Sequence, residues 1–241
     1  MMLSGFKVLT FDCYGTLIDW ESGILTALRP LIRRAGVTFD DEAILAQFAA
    51  HESRQEAAAP DTRYADVLKM VHGCLAADWG AVDDPAENAR FGASVGDWPA
   101  FPDSVAALRL LARRYRLVIL SNVDRAGFRA SAVRLGVTFD AVYTAEDIGS
   151  YKPDPRNFTY LMGRLAADGF QKSDVLHVAQ SLFHDHAPAN AIGLASAWID
   201  RRHAAAKGGA AGWGATAPPP EGVHYDFRFA SLAELAAAVE G

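Results

Sequence analysis

Four groups of polar residues with the capacity for catalysis each follow or flank a short apolar run in the sequence. Asp12 follows FKVLTF, and Ser121 with Asn122 follows LVIL. Lys152 stands just before a proline and a helical pattern, and Asp185 comes shortly after VLHVA. A carboxylate at the end of a buried strand is costly unless cations or hydrogen-bond donors surround it. The sequence therefore allows one site of carboxylates, an ammonium group, a hydroxyl and an amide, although each group alone is equally compatible with a turn or a helix cap.

The elements that must position these groups alternate between apolar runs and helical patterns. Strands are predicted at Phe6–Phe11, Leu117–Leu120, Ala141–Thr144, Val175–Ala179 and Ser196–Ile199. Helices are predicted at Asp103–Tyr115, Asp124–Leu135, Pro155–Ala167 and His186–Ile192. This alternation predicts an α/β fold, a Rossmann-like, doubly wound parallel sheet with helices on both faces. Because ligands of such sheets bind beyond the carboxyl ends of the strands, the four polar groups are expected to meet there.

A run of consecutive helical patterns interrupts the alternation after the first strand. Its helices are predicted at Ser22–Ala35, Asp41–Ala58, Thr62–Trp79 and Pro85–Val95. The sequence thus divides into a core domain of residues 1–19 and 97–241 and a helical cap domain of residues 20–96. Such an insertion would lie over the end of the first strand as a lid. Further along, Ala204–Pro220 is rich in Ala, Gly and Pro and predicts a loop, and SLAE at residues 231–234 predicts the capping box of a last helix.

Length and charge restrict the class of protein. The 241 residues suffice for one α/β domain with a sizeable insertion. A net charge of −6 argues against nucleic acid as the main partner. The N-terminus lacks a signal-peptide pattern, and no apolar run reaches membrane-spanning length. We therefore expect a cytoplasmic enzyme that needs no membrane.

Taken together, the order Asp12, Ser121-Asn122, Lys152-Pro153 and Asp185 resembles the four motifs of the haloacid dehalogenase superfamily. The resemblance covers residues 6–17 and 101–201, and the helical insertion matches the position of that family's cap domain. In that family the first aspartate attacks the substrate and forms an aspartyl ester or an aspartyl phosphate. The resemblance therefore implies a hydrolase with a covalent intermediate.

The resemblance also assigns roles to the motif residues. Asp12 would be the nucleophile, and Lys152 would hold it ionised. Thr16, Ser121 and Asn122 would position the nucleophile and bind the substrate anion. Asp185 would help to orient the water that hydrolyses the ester.

Tyr14 decides which branch of the superfamily the sequence resembles. Phosphatase branches carry an acid there that protonates the leaving-group oxygen, and a phenol with a pKa near 10 is a poor substitute. FDCYGTL, SYKPDPRNF and AWIDR resemble the L-2-haloacid dehalogenase branch. That resemblance implies that Asp12 displaces halide from a small 2-haloacid. It also implies that no cofactor or metal is needed, because no phosphoryl charge must be neutralised.

The expected substrate pocket combines matches to this branch with departures from it. Its candidate residues are Tyr14, Asn122, Gln180, Ser181, Phe158 and Arg54. Phe158 stands where the branch has a tyrosine, and Gln180 and Leu182 stand where it has a serine and an asparagine. Arg54 and Arg29 are the candidates for the cap arginine that binds the substrate carboxylate and the departing halide.

Three other hypotheses stay open. Asp12, a backbone carbonyl near Tyr14 and Asp185 could hold Mg²⁺ in a phosphatase that lacks the usual acid. A second option is hydrolysis of another activated C–X bond, such as a strained ring, in a small carboxylic acid. A third is a non-catalytic binding protein, in view of Phe158, Gln180 and Leu182.

The run His184-Asp185-His186 also raises the question of a metal. It shows no third ligand nearby in sequence, so we predict no metal site there. The expected partner is a small-molecule carboxylic acid, and the resemblance leaves a homodimer open.

Overall fold

The computed structural model describes residues 2–202 and 218–240. Within them one parallel sheet has the strand order β3-β2-β1-β4-β5-β6. Its strands are β1 Val8–Phe11, β2 Arg116–Ser121, β3 Ala141–Thr144, β4 Val175–Ala179, β5 Ala195–Ile199 and β6 Phe227–Phe229. The chain moves outward from β1 to β3 and then returns to place β4 on the other side of β1. This reversal creates the crevice in which such sheets bind ligands.

Ten α-helices lie among the described residues. They are α1 Trp20–Ala35, α2 Asp41–Ala58, α3 Tyr64–Asp78, α4 Pro85–Ala93, α5 Ser104–Leu111, α6 Arg125–Leu135, α7 Ala145–Ile148, α8 Pro155–Ala167, α9 Ala187–Ala191 and α10 Leu232–Glu240. Aspartates cap several of them: Asp40 accepts from Ala43 N at 2.8 Å and Asp124 accepts from Gly127 N at 2.8 Å. Such caps satisfy backbone donors that have no partner inside the helix.

The central strands are apolar on both faces, which explains why each side of the sheet carries helices. On one face Val8, Val118 and Val175 pack with Phe158 and Leu161 of α8. On the other face Leu9, Phe11 and their neighbours join a larger apolar cluster that reaches α5, α10 and the helices α1–α4. Because successive side chains of a strand point to opposite faces, this burial requires a doubly wound sheet. The predicted α/β architecture is confirmed.

Helices α1 to α4 follow β1 and pack chiefly on one another. Two hydrogen bonds connect the middle of this helical insertion to the loops that follow the strands. Tyr151 Oη donates to Thr62 O at 2.6 Å, and Ala65 N donates to Asp124 Oδ2 at 3.1 Å. These contacts hold the helical insertion over the carboxyl edge of the sheet. The domain bounds of 20–96 and of 1–19 with 97–241 stay a prediction.

The structure adds elements that the sequence patterns did not reveal. β6 lengthens the sheet by a strand of three residues, and α7 is a single short helix after β3. The predicted helix Pro85–Val95 ends at Ala93 and continues as a 3₁₀ turn over Ser94–Asp97. Most of the predicted loop Ala204–Pro220 lies outside the described residues. None of the described helices is both long and apolar enough to cross a bilayer.

Candidate active site

A cavity lies where the carboxyl ends of β1, β2 and β4 face the helical insertion. It encloses about 470 Å³ of empty space, including solvent at its mouth. The described residues that line it are Asp12, Tyr14, Trp20, Glu52, Glu56, Tyr64, Asn122, Lys152, Gln180, Ser181, His184 and Asp185.

Lys152 joins two carboxylates at the floor of this cavity. Its Nζ donates to Asp12 Oδ1 at 2.9 Å, to Asp185 Oδ1 at 2.6 Å and to Leu120 O at 3.0 Å. All three charged side chains are buried. Replacing any one of them would leave an unbalanced charge in a site with little water, which makes the trio interdependent.

The charges of the trio follow from burial and pairing. Burial alone would neutralise Lys152, but Asp12 and Asp185 outweigh it and hold the pKa of the ammonium above its usual value. Burial also opposes ionisation of Asp185, yet Lys152 and His177 bring the pKa of that carboxyl well below its usual range. Burial raises the pKa of Asp12, and Lys152 counteracts this rise. Asp185 is therefore the more firmly ionised of the two carboxyls.

Thr16 holds the second oxygen of Asp12, and Gly15 allows the turn that brings Thr16 there. Thr16 Oγ1 donates to Asp12 Oδ2 at 2.7 Å and accepts from Gln180 N at 2.9 Å. Gly15 has φ +90°, a backbone conformation that side-chain-bearing residues rarely adopt. A Cβ there would lie 3.1 Å from Trp20 Nε1. The tight turn after β1 thus requires glycine and brings Thr16 back to Asp12.

Asn122 contacts the backbone of Lys152 rather than its ammonium group. Lys152 N donates to Asn122 Oδ1 at 2.6 Å, and Asn122 Nδ2 donates to Lys152 O at 3.0 Å. This pair of bonds links the loop after β2 to the loop before α8. The amide fixes the start of the lysine side chain and lines the cavity as well.

A single π-helical turn over Leu182–His186 delivers Asp185. Ser181 caps it, since its Oγ accepts from His184 N at 3.0 Å. In a π-helical turn each hydrogen bond joins residues that are one position further apart than in an α-helix. Such turns occur often at functional sites. Asp185 Oδ2 is buried and bonds to none of the described residues.

The two histidines around Asp185 differ in their surroundings. His184 lines the cavity, and burial lowers its pKa to about 4, so the ring is neutral at pH 7. His186 bonds to Ser196 Oγ and Ala179 O inside the core, and burial likewise lowers its pKa to about 4. Neither ring contributes positive charge to the cavity at neutral pH.

His177 is a polar neighbour of the trio that the sequence analysis missed. It lies in the middle of β4, and its Nε2 is 3.0 Å from Asp185 Oδ1. Phe158, which stands where the dehalogenase branch has a tyrosine, packs its ring on His177 with centroids 5.0 Å apart. A polar residue inside the otherwise apolar strand VLHVA was the available signal.

Tyr14 lines the cavity, but its hydroxyl is engaged elsewhere. Tyr14 Oη and Ser131 Oγ lie 2.8 Å apart, and the ring packs edge-on against Trp98. Burial raises the pKa of this phenol well above its usual value. Burial and Asp12 similarly raise the pKa of the Cys13 thiol. Neither side chain is suited to act as an acid–base group or a thiolate nucleophile at neutral pH.

Two glutamates of α2 form the cap side of the cavity. Glu52 accepts from Tyr64 Oη at 2.5 Å, whereas the Glu56 carboxyl bonds to none of the described residues. Burial raises the pKa of Glu52 to about 7, although the Tyr64 bond opposes this rise. Burial and the nearby Glu52 raise the pKa of the Glu56 carboxyl well above its usual value. The sequence analysis missed both residues.

Three predicted site residues lie away from the cavity. Ser121 is buried at the end of β2, with a hydroxyl that bonds to none of the described residues. Phe158 lies wholly in the apolar layer beneath His177. Arg54 is exposed and bonds to Ala50 O and His51 Nδ1. Arg29 is exposed as well. The expected cap arginine is therefore not among the described residues that line the cavity.

The donor set does not resemble a divalent metal site. Asp12 and Asp185 share the Lys152 ammonium, and no cluster of three His, Cys, Asp or Glu side chains suited to a metal ion occurs among the described residues. Two residues after Asp12 the side chain is the phenol of Tyr14, which adds no carboxylate oxygen to this set.

Comparison with known proteins agrees with this arrangement. A family model of haloacid dehalogenase-like hydrolases matches residues 6–193. The chain belongs to the haloacid dehalogenase-like hydrolase family. The match covers β1, the helical insertion and the strands up to β4, so every residue of the trio lies inside it.

Similar members of this family include enzymes with different reactions. An (S)-2-haloacid dehalogenase 4A from Burkholderia cepacia is 26% identical over 217 residues, covering 83% of this chain and 86% of the relative. A validoxylamine A 7'-phosphate phosphatase from Streptomyces hygroscopicus subsp. limoneus is 26% identical over 200 residues, covering 80% and 83%. The L-2-haloacid dehalogenase of Xanthobacter autotrophicus has the same fold, with a TM-score of 0.78 at 21% identity over 98% and 99% of the two chains.

Proposed function

We propose that this hydrolase uses Asp12 to displace halide from an activated carbon of a small organic molecule, through a covalent ester. The observation that carries the proposal is the position of Lys152 between Asp12 and Asp185, at 2.9 and 2.6 Å, on the floor of a cavity. A fixed cation beside a carboxylate keeps it anionic and aimed. The family relationship to haloacid dehalogenases supports the same chemistry.

The reaction has two steps. In the first, a carboxylate oxygen of Asp12 forms a bond to the carbon, and the halide departs with the electron pair of the carbon–halogen bond. In the second, water adds to the carboxyl carbon of Asp12, which releases the alcohol, restores the carboxylate and frees one proton. We propose that Asp185, which shares the Lys152 ammonium with Asp12, helps to orient that water.

Tyr14 favours halide over phosphate as the leaving group. An oxygen leaving group needs a proton, and Tyr14 shares its hydroxyl with Ser131 and has a raised pKa. A halide leaves without a proton. The geometry at this position therefore supports displacement of a weakly basic anion.

The proposal is tested by chloride release from a panel of activated organic chlorides. The panel contains acids, L-2-chloropropionate and chloroacetate, and the neutral chloroacetamide. We expect chloride release that Asp12→Asn abolishes, and heavy oxygen from labelled water in the Asp12 peptide after several turnovers. No chloride above the Asp12→Asn background from any member of the panel would overturn the proposal. An Asp12 peptide that stays unlabelled while chloride is released would also overturn it, because water would then displace the halide directly. Absence of both chloride release and label would favour a non-catalytic homologue.

Phosphate monoester hydrolysis is a second candidate because one relative is a phosphatase. It predicts phosphate release that Mg²⁺ stimulates and EDTA abolishes. The test uses p-nitrophenyl phosphate, with Asp12→Asn as the control. Phosphate release at a rate exceeding chloride release from the panel would make phosphatase the better assignment.

A further inference from the structure

The cap side of the cavity carries acidic side chains, whereas a carboxylate substrate needs positive charge there. Four carboxyls and one ammonium group line the cavity, namely Asp12, Asp185, Glu52, Glu56 and Lys152. The ammonium is bonded to both aspartates on the floor. The side formed by α2 therefore presents two acidic groups that form no ion pair with any of the described residues.

Glu52 and Glu56 are built into this wall and are not surface residues that happen to be near. They are 6% and 8% exposed, and they stand one helical turn apart on the inward face of α2. Tyr64 from α3 holds Glu52. Glu56 bonds to none of the described residues, so its carboxyl is an acceptor that a ligand in the cavity can satisfy. A ligand can be expected to supply the hydrogen-bond partner that a buried polar group lacks in the free protein.

At pH 7 burial keeps Glu56, and in part Glu52, protonated, so a carboxylate in this cavity would face the aspartates of the floor and two largely neutral acids on the cap side. Like charges placed together across a binding surface repel, so the floor disfavours the anion and the glutamates could not ionise beside it. If the glutamates stayed protonated beside such an anion, they would bind it without the positive charge that an arginine supplies. A ligand that carries N–H or O–H donors meets neither difficulty.

We infer that the substrate presents a neutral or cationic hydrogen-bond donor, an amine, amide or hydroxyl, to Glu52 and Glu56, and that a free 2-halocarboxylate is a poor substrate. This inference rests on the proposed displacement by Asp12 and names the class of molecule on which it acts. The carbon–halogen bond faces the Lys152 floor, and the donor group faces α2.

Three chlorides with the same reacting carbon test the inference. They are chloroacetate, chloroacetamide and N-(2-aminoethyl)-2-chloroacetamide, which are anionic, neutral and cationic at pH 7. We expect kcat/KM for the cationic amide to exceed that for chloroacetate by about tenfold or more, the ratio that a charge interaction of about 1.4 kcal/mol gives. Unreactive acetate, acetamide and N-(2-aminoethyl)acetamide, titrated calorimetrically, should bind in the same order.

Two variants test whether the glutamates cause the preference for the cationic chloride over the anionic one. They are Glu56→Gln and Glu52→Gln. Each removes one acid while keeping its size, and each should lower the cation-to-anion ratio about tenfold. Glu42→Gln is the matched control, because Glu42 lies on the same helix but pairs with Arg202 outside the cavity. We expect the control to keep the ratio of the native enzyme. Two variants are used so that a folding defect in one leaves the other available.

The outcomes separate the inference from the proposed function. A preference for chloroacetate, or a ratio that neither Glu56→Gln nor Glu52→Gln changes, overturns the inference while Asp12-dependent chloride release still stands. Equal binding of the three unreactive analogues overturns it as well. Absence of chloride release from all three compounds, with the analogues still bound in the expected order, overturns the displacement reaction and keeps the substrate class.

Discussion

His177 Nε2 lies 3.0 Å from Asp185 Oδ1, and Nδ1 of the same ring lies 2.8 Å from Thr10 Oγ1. An ionised carboxylate can only accept, so Nε2 carries a proton and donates to Asp185, while Nδ1 forms a hydrogen bond with the threonine hydroxyl. The ring thereby fixes one oxygen of Asp185 from beneath the cavity. It is a positioning residue, since it acts through Asp185 and does not line the cavity.

His177→Phe should slow hydrolysis of the Asp12 ester more than its formation. The phenyl ring fills the space but gives Asp185 no donor, so the water is less well oriented. We expect the steady-state rate to fall about 10²-fold and the ester to accumulate on Asp12, as measured by mass spectrometry of quenched reactions. His177→Gln, which keeps a donor, should restore part of the rate. His186→Phe serves as the control, and an equal accumulation of ester in it would contradict this role.

Lys152→Met should reduce both stability and activity. It leaves two buried carboxylates without their cation, and breaking a buried ion pair on one side costs about 3–5 kcal/mol of unfolding free energy. Chloride release should fall at least about 10²-fold. Urea unfolding and the chloride assay measure the two effects. Lys69→Met, which removes a half-exposed surface pair with Asp66, should cost less than about 1 kcal/mol.

Glu52 should make the protein less stable as the pH rises from about 4.5 to about 7. Its pKa is raised to about 7 in the folded protein from an ordinary 4.5, mainly by burial. The folded state thus binds more protons than the unfolded chain in this range, and stability falls as pH increases. The carboxyl is still partly protonated at pH 7, so the loss is complete only about one pH unit higher and amounts to about 3 kcal/mol at most. At still higher pH the contribution of Glu52 no longer changes.

Glu52→Gln removes this titration and tests the sign directly. The variant should gain stability relative to the native protein at pH 8 and not at pH 4.5, with urea unfolding measured at both. The amide oxygen can still accept from Tyr64, so the hydrogen bond is kept. A difference between the two proteins that is the same at both pH values would show that burial of Glu52 does not govern its ionisation.

Tyr14→Phe should leave the chemistry nearly intact. The lost hydroxyl bonds to Ser131, so we expect a stability loss of about 1 kcal/mol and a pH profile of chloride release with the same shape. Ser131→Ala should have a similar effect, and the double variant should cost less than the sum of the two. A Tyr14→Phe variant whose profile loses an ionisation would instead identify the phenol as an acid–base group.

The sequence predicted the elements that depend on local pattern. The strands Ala141–Thr144 and Val175–Ala179 and the helices Asp41–Ala58 and Pro155–Ala167 have the predicted bounds. Each is marked by an apolar run or by a capping aspartate, which are signals read without knowing the fold. The short strand Phe227–Phe229 was not predicted, because its pairing with β5 is a tertiary contact. Its three residues are also too few to show a clear alternation of apolar and polar side chains.

The sequence predicted the motif residues of the candidate site but not the residues that the helical insertion adds to it. Asp12, Lys152 and Asp185 could be expected at one edge because parallel strands bring their carboxyl ends together. Glu52 and Glu56 continue the four-residue spacing of the buried Phe48 on α2, but acidic residues on a helix usually face water. Only the cavity that they share with Asp12 shows that they face inward.

Lys152 has three N–H bonds, and its contacts with Asp12 Oδ1, Asp185 Oδ1 and Leu120 O use all of them. The lysine therefore acts on a substrate only as a fixed charge, and no anion released in the cavity can bind to it without displacing one of these acceptors. Trp20, whose indole N–H bonds to none of the described residues, lines the same cavity. In the proposed reaction a departing halide would therefore meet the indole N–H of Trp20 or water at the mouth of the cavity, and not a free N–H of the lysine.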